Sequence, residues 1–185
     1  LDDCEFSNQP SDDKNEMLDL ETLRFMDKNE NVIFVGTSGV GKTHLAVSLG
    51  MAAAKRRIST YYITFNDLIN QLMKANSENR ADIKIKYFCK YKLLIIDEIG
   101  YLPITKEGAY LFFQLINKRY EKKSTILTTN QVFSKWPEIF GDSVVTAAII
   151  DRLVHHSHII KINGKSYRIK DRNVELKKSI DKECE

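Results

Sequence analysis

Gly36-Thr-Ser-Gly-Val-Gly-Lys-Thr43 fits the pattern G-x-x-x-x-G-K-[ST], a loop whose backbone amides cradle phosphate oxygens. Its setting matters as much as the string. An apolar run, Asn31-Val-Ile-Phe-Val35, leads in, and Thr43-His-Leu-Ala-Val-Ser-Leu-Gly-Met-Ala-Ala-Ala54 leads out with helix-compatible residues. Strand, loop and helix in that order aim a helix N-terminus and a row of N–H groups at an anion. The glycines let the backbone approach that anion where a side chain would clash. The expected phosphate cradle is therefore Gly36, Thr37, Ser38, Gly39, Val40, Gly41, Lys42, Thr43 and His44. In this pattern the lysine, here Lys42, reaches the β- and γ-phosphates, and the hydroxyl of Thr43 ligates Mg²⁺.

About fifty residues downstream, Leu93-Leu-Ile-Ile-Asp97-Glu98 is an apolar strand ending in two acids. Asp97 at the carboxyl end of a buried strand suits the Mg²⁺ that bridges two phosphates, and Glu98 suits polarisation of an attacking water. Thr128-Thr129-Asn130 ends the next strand, where the amide of Asn130 can orient that water or touch the γ-phosphate.

Around these motifs, strands are expected near 31–36, 58–63, 92–97, 124–129 and 158–162. Helices are expected over 17–28, 42–56, 66–76, 79–89, 106–121 and 142–156, with Thr64-Phe-Asn-Asp67 as a capping box and Asp142 as an N-cap. Near-continuous apolar strands alternating with helices predict an α/β fold whose parallel sheet is covered on both faces. Ile162-Asn-Gly-Lys165 carries a type I′ hairpin signal. Residues 1–16 read as a polar, acidic lead-in, 17–170 as one domain, and 171–185 as a basic C-terminal tail. The chain opens on Leu1, which reads as a fragment lacking an N-terminal portion.

At 185 residues a single domain can bury a real core. A net charge of +3 is too small to announce nucleic acid by itself. Cys4, Cys89 and Cys184 are odd in number and widely spaced, which fits reduced thiols in a cytoplasmic protein and not a disulfide framework. No apolar stretch approaches the roughly 18 residues of a bilayer span, so no membrane role is expected.

GTSGVGKTHLA, LLIIDEIGYLP, LTTN and AAIIDRLVHHSHIIKINGKSYRIK together resemble the AAA+ ATPases of the IstB-like and DnaC/DnaI-like group, from about Phe6 to Lys170. Phe140-Gly-Asp142, DRLVHHS and NGKSYR are closer to the IstB-like transposition helpers. The resemblance implies a three-layer P-loop NTPase fold with a five-stranded parallel sheet of order 5-1-4-3-2. It implies a C-terminal β-hairpin and no full helical lid, since about two dozen residues follow the last strand. It implies ATP with Mg²⁺ as ligands, hydrolysis of ATP, and homo-oligomers joined through the ATP sites. It implies DNA contacts without sequence preference and a transposase as partner, or the replicative DNA helicase if the chain is a DnaC/DnaI-like loader. By the same resemblance Asn130 matches the sensor-1 residue, Arg152 an arginine finger serving a neighbouring subunit, and Arg168 the sensor-2 residue of its own site.

Two other classes fit less well. A P-loop kinase of a small metabolite needs an arginine-rich lid between the later strands, which is not visible. A nucleotide-gated scaffold that scarcely turns over does not need the intact Asp97-Glu98 pair. Among weaker signals, Arg152 also reads as a surface helix residue paired with Asp151. His155, His156 and His158 are not expected to hold a metal, because adjacent helical residues point apart and no acid or cysteine sits at ligand spacing. Lys84, Lys86, Lys90 and Lys92, interleaved with Tyr87 and Tyr91, read equally as a phosphate-tracking face or a solvated helix face. Tyr101-Leu-Pro103 and Lys106 occupy a region that faces DNA in related helicase loaders, and Trp136 reads as an anchor for a loop on the core.

Overall fold

Five strands, β1 (Asn31–Val35), β2 (Thr60–Thr64), β3 (Leu93–Ile99), β4 (Ser124–Thr129) and β5 (Ser157–Lys161), form one sheet in the order β2-β3-β4-β1-β5. All four neighbouring pairs are parallel. The structure, a computed structural model, describes residues 17–162. The expected hairpin at 162–165, Arg168, the acidic lead-in and the basic tail therefore lie outside the described residues, apart from Ile162 itself.

Side chains on a strand alternate between faces, and the core divides accordingly. Ile33, Leu94, Ile96 and Leu127 point to one side, where α3 (Phe65–Ser77), α4 (Ala81–Cys89), α5 (Lys106–Arg119), α6 (Trp136–Phe140) and α7 (Ser143–Val154) supply Leu68, Phe88, Phe112, Trp136 and Ile149. Val32, Phe34, Leu93, Ile95 and Ile126 point to the other, against Ala46, Leu49 and Ala53 of α2 (Lys42–Lys55) and Leu20 and Phe25 from the N-terminal segment. Three layers result, because strands apolar on both faces must be covered on both.

Local signals set the helix boundaries. The Thr64 hydroxyl accepts from the Asp67 N–H and starts α3, and Asp142 accepts from the Val144 and Val145 N–H groups to start α7. The Asp67 carboxylate departs from a full capping box: it accepts a hydrogen bond from the Thr64 hydroxyl at 2.8 Å. The expected helix over 17–28 is broken. Residues 17–21 are helical (α1), Leu23 sits at φ +63°, and a 3-10 turn follows at Arg24–Met26. This tighter turn places Leu20, Leu23 and Phe25 together in the core. Helix α6 was not anticipated; Trp136, fully buried, opens it as the expected anchor.

Arg119, at the end of α5, is also buried. Its guanidinium donates to the carbonyls of Phe88, Tyr91 and Ser124 and to the Thr125 hydroxyl, joining α4, α5 and β4. Burial lowers its pKa to about 10. Cys89 beside it is a free, half-buried thiol whose pKa burial raises.

Candidate functional site

The loop between β1 and α2 lies at the carboxyl end of the sheet, where strand order reverses around β1 and open α/β sheets bind ligands. Gly36 opens it under tight constraint. A Cβ there would stand 2.4 Å from the Ile162 carbonyl oxygen, which belongs to the chain leaving β5. Gly41 ends the loop at φ +99° and hands the chain to α2 at Lys42. The Lys42 ammonium donates to the Gly36 and Thr37 carbonyls at 2.7 and 2.8 Å, so its side chain curls over the loop it must serve.

Opposite the loop, the pairing of β3 with β4 slips. Ile96 pairs with Leu127 and Ile99 with Thr129, so Asp97 and Glu98 together face Thr128 alone. This is a β-bulge, two residues against one, and it turns Glu98 out of the regular pleat. Glu98 takes φ +66° and Gly100 takes φ +99°. Side chains rarely adopt such a backbone, and here it stands beside a carboxylate pair.

Thr128 holds both acids. Its hydroxyl donates to Asp97 Oδ1 and accepts the backbone N–H of Glu98 at 2.9 Å. Asp97, almost fully buried, also accepts the Thr43 hydroxyl at 3.0 Å and, on Oδ2, the Tyr62 hydroxyl at 2.7 Å. Partial burial and the Asp97 carboxylate together push the Tyr62 phenol up, so it remains a donor at neutral pH. The sensor-1 candidate Asn130 follows β4, which the sheet order places between β1 and β3 as the resemblance implied. Its side-chain oxygen is buried and lacks a hydrogen-bond partner.

Of these groups, Glu98, Thr128 and Asn130 line one cavity of about 400 Å³ together with Gly39, Gly41, Lys42, Thr43, His44 and Tyr101. The donor set suits a triphosphate with a hard cation. A hydroxyl and a carboxylate meet at Thr43 and Asp97, and the Lys42 ammonium and the N-terminus of α2 stand beside them. Tyr101 reaches back to the loop, its hydroxyl 2.9 Å from the Ser38 hydroxyl.

Sequence reasoning missed Tyr62 and Thr128 as partners of Asp97. The register Thr64↔Asp97 puts Tyr62 two positions upstream on the edge strand, a cross-strand relation that only the sheet order reveals. Arg152 stands elsewhere. It lies in the last turn of α7, next to Leu153, whose carbonyl receives the amide of Asn31 at the start of β1. The phosphate loop begins at the other end of that five-residue strand, about 16 Å away. Arg152 Nε donates to Asn117 at 2.6 Å, Nη1 reaches the Ala148 carbonyl, and the guanidinium lies 4.9 Å from the Phe113 ring centre. Asp151 sits 4.0 Å away, so the pairing expected within α7 is the weaker contact.

The three histidines differ from their sequence reading. His155 and His156 lie beyond the last regular turn of α7, and their ring centres are 4.1 Å apart instead of diverging. Glu121, remote in sequence, joins them within ligand distance. His158 pairs instead with Glu30 at 3.0 Å.

No helix among the described residues is long and apolar enough to cross a membrane. Comparisons with known proteins agree with the geometry. Residues 1–175 match the sequence profile of the IstB-like ATP binding proteins. The chain is 56% identical over 171 residues to a protein of Bacillus thuringiensis subsp. berliner named as the ATP-binding protein of insertion sequence IS232, across 92% of this chain and 68% of that one. It is 45% identical over 181 residues to the corresponding IS5376 protein of Geobacillus stearothermophilus, across 98% and 72%. Among solved structures, the DnaC helicase loader superposes with a TM-score of 0.67 at 24% identity over 86% of this chain and 95% of that one. DnaI gives 0.68 at 21% identity over 89% and 87%. At such identities the two structures speak to the fold alone. With its phosphate loop and acidic strand joined in one cavity and its profile matched across nearly the whole length, the chain belongs to the IstB-like family of ATP-binding proteins.

Proposed function

We propose that this chain is a Mg²⁺-dependent ATPase, built on residues 17–170, that assembles with copies of itself on DNA and recruits or regulates a transposase. The bulge that sets Glu98 beside Asp97, across the cavity from Lys42 and Thr43, carries the hydrolytic part of this reading. Buried Thr128 ties the Asp97 carboxylate to the Glu98 backbone, which keeps the two acids side by side at the cavity. Magnesium, bound by Thr43 and Asp97, would neutralise charge on the phosphates.

The chain's own groups do the rest. Lys42 exchanges its two loop carbonyls for phosphate oxygens, Glu98 accepts the proton of the attacking water, and Asn130 orients that water or the γ-phosphate. The water oxygen bonds to the γ-phosphorus as the bond to the ADP oxygen breaks. Arg152 serves the neighbouring subunit's site and Arg168 its own.

Lys42→Ala tests the site directly. Calorimetry is expected to show loss of ATP binding with an unchanged unfolding temperature; retained micromolar affinity would reject the loop assignment. Tyr62→Phe tests the support around Asp97. One hydrogen bond is worth about 1 kcal/mol, so the Mg²⁺ concentration for half-maximal hydrolysis is expected to rise roughly fivefold. The rate at saturating Mg²⁺ should stay near the parent value. An unmoved Mg²⁺ dependence would make Tyr62 a bystander.

The partner claim rests on the relatives, whose names place them in insertion sequences. DNA contacts without sequence preference are part of this reading, since the chain's basic groups suit phosphate oxygens and its sequence shows no base-reading motif. Loading of the replicative helicase is the second reading, carried over from the resemblance of the phosphate-loop and acidic-strand motifs to the DnaC/DnaI-like group. ATP-dependent capture of purified transposase, compared with purified helicase, decides between them.

A further inference from the structure

At the end of the sheet opposite the phosphate loop, two turns meet. Glu121 closes the turn after α5 in the left-handed region, φ +56°, and the Asn29 amide holds its carbonyl at 3.1 Å. His155 caps α7, and His156 follows with its carbonyl bonded to the Asn31 N–H at the start of β1. Both backbones are thus fixed by contacts other than the side chains they present.

Those side chains converge. His156 Nε2 lies 3.4 Å from Glu121 Oε1, and one ligand atom from each of Glu121, His155 and His156 falls within 4.8 Å of the others. In a tetrahedral zinc site with bonds of roughly 2.0–2.1 Å, neighbouring ligand atoms are about 3.3–3.4 Å apart. The Glu121–His156 edge already has that length. A shift of the exposed Glu121 and His156 side chains toward His155 closes the remaining edge. The Tyr120 hydroxyl, 2.6 Å from His155 Nδ1, orients that ring as outer partners orient metal-ligating imidazoles. Two imidazoles and a carboxylate form a borderline-soft donor set that suits Zn²⁺ and its neighbours better than Mg²⁺ or Ca²⁺.

The geometry points to a divalent transition-metal site formed by Glu121, His155 and His156, with a coordination position left open to solvent or to a neighbouring molecule. It joins the α5–β4 turn to the end of α7, one turn beyond Arg152. It is separate from the Mg²⁺ position at Thr43 and Asp97, and it stands whether or not the chain hydrolyses ATP.

Cobalt alone, titrated into the nucleotide-free chain, is the probe. The parent chain and His158→Ala, which removes a histidine paired elsewhere, are expected to bind one Co²⁺ with the strong visible absorption of a four-coordinate nitrogen and oxygen site. His156→Ala and Glu121→Gln are expected to bind at least about tenfold more weakly, the smallest loss seen when even an outer partner of a metal is removed. Both side chains are about half exposed, so the variants should fold as the parent does. Zinc should raise the unfolding temperature of the parent chain and not that of either variant. Equal cobalt affinity in His156→Ala, a thiolate charge-transfer band, or no binding up to about millimolar cobalt would each overturn the site and leave the Glu121–His156 contact an ordinary surface ion pair.

Discussion

Arg152→Ala is expected to bind ATP as the parent chain does and to hydrolyse it roughly 10³- to 10⁵-fold more slowly. The argument is one of reach and charge. Arg152 sits beside the beginning of β1, and the phosphate loop starts where that strand ends, beyond the length of an arginine side chain. If it meets a γ-phosphate at all, that phosphate belongs to another subunit. There its fixed positive charge would stabilise oxygens that gain charge as the bond to the leaving group breaks. In the single chain the guanidinium rests on Asn117 and over Phe113, so assembly must exchange these contacts for phosphate. Two measurements follow. Hydrolysis per subunit should rise with protein concentration, and a mixture of Arg152→Ala with Lys42→Ala should recover part of the activity. In that mixture the Lys42→Ala subunit donates a working arginine to the intact nucleotide site of its neighbour. Activity independent of concentration, with inert mixtures, would return Arg152 to a surface residue of α7.

Glu98→Gln is the second large effect. It should retain ATP and lose roughly 10²- to 10⁴-fold in turnover, the usual worth of a positioned general base. The amide has nearly the shape of the acid but cannot accept the water's proton. The Thr128 hydroxyl bonds to the backbone N–H at residue 98, not to its side chain, so the bulge should persist in the variant. Binding measured by calorimetry and turnover measured by phosphate release separate the two steps. Parent-like turnover would place the base elsewhere.

The phosphate loop and the acidic strand could be read from residues 31–54 and 93–98 because each rests on local chemistry, an apolar run and a fixed spacing, whereas the sheet order comes from the resemblance to the IstB-like and DnaC/DnaI-like group. The five strands and the main helices fall within a few residues of where the pattern puts them, and β4 lies between β1 and β3 as expected. What stayed hidden depends on pairing. A bulge arises from the register of β3 against β4, and nothing in Leu-Leu-Ile-Ile-Asp-Glu announces that Asp97 and Glu98 share one partner. Tyr62 and Thr128 reach Asp97 from two different strands, so their role exists only once the sheet is assembled. The cluster of Glu121 with His155 and His156 joins residues more than thirty positions apart, and the helical-wheel argument against it failed because His155 and His156 lie past the last regular turn. Arg168 and the predicted hairpin fall outside the described residues, and their roles stand as proposed.

The left-handed backbone at Glu98 sets folding against the proposed turnover at a single residue. A non-glycine residue there gives up about 1 kcal/mol that a glycine would keep. Random substitution selected only for a firmer fold would therefore drift toward glycine at position 98 and lose the carboxylate. On the proposed role of Glu98 as general base, selection for turnover would hold the glutamate against that drift.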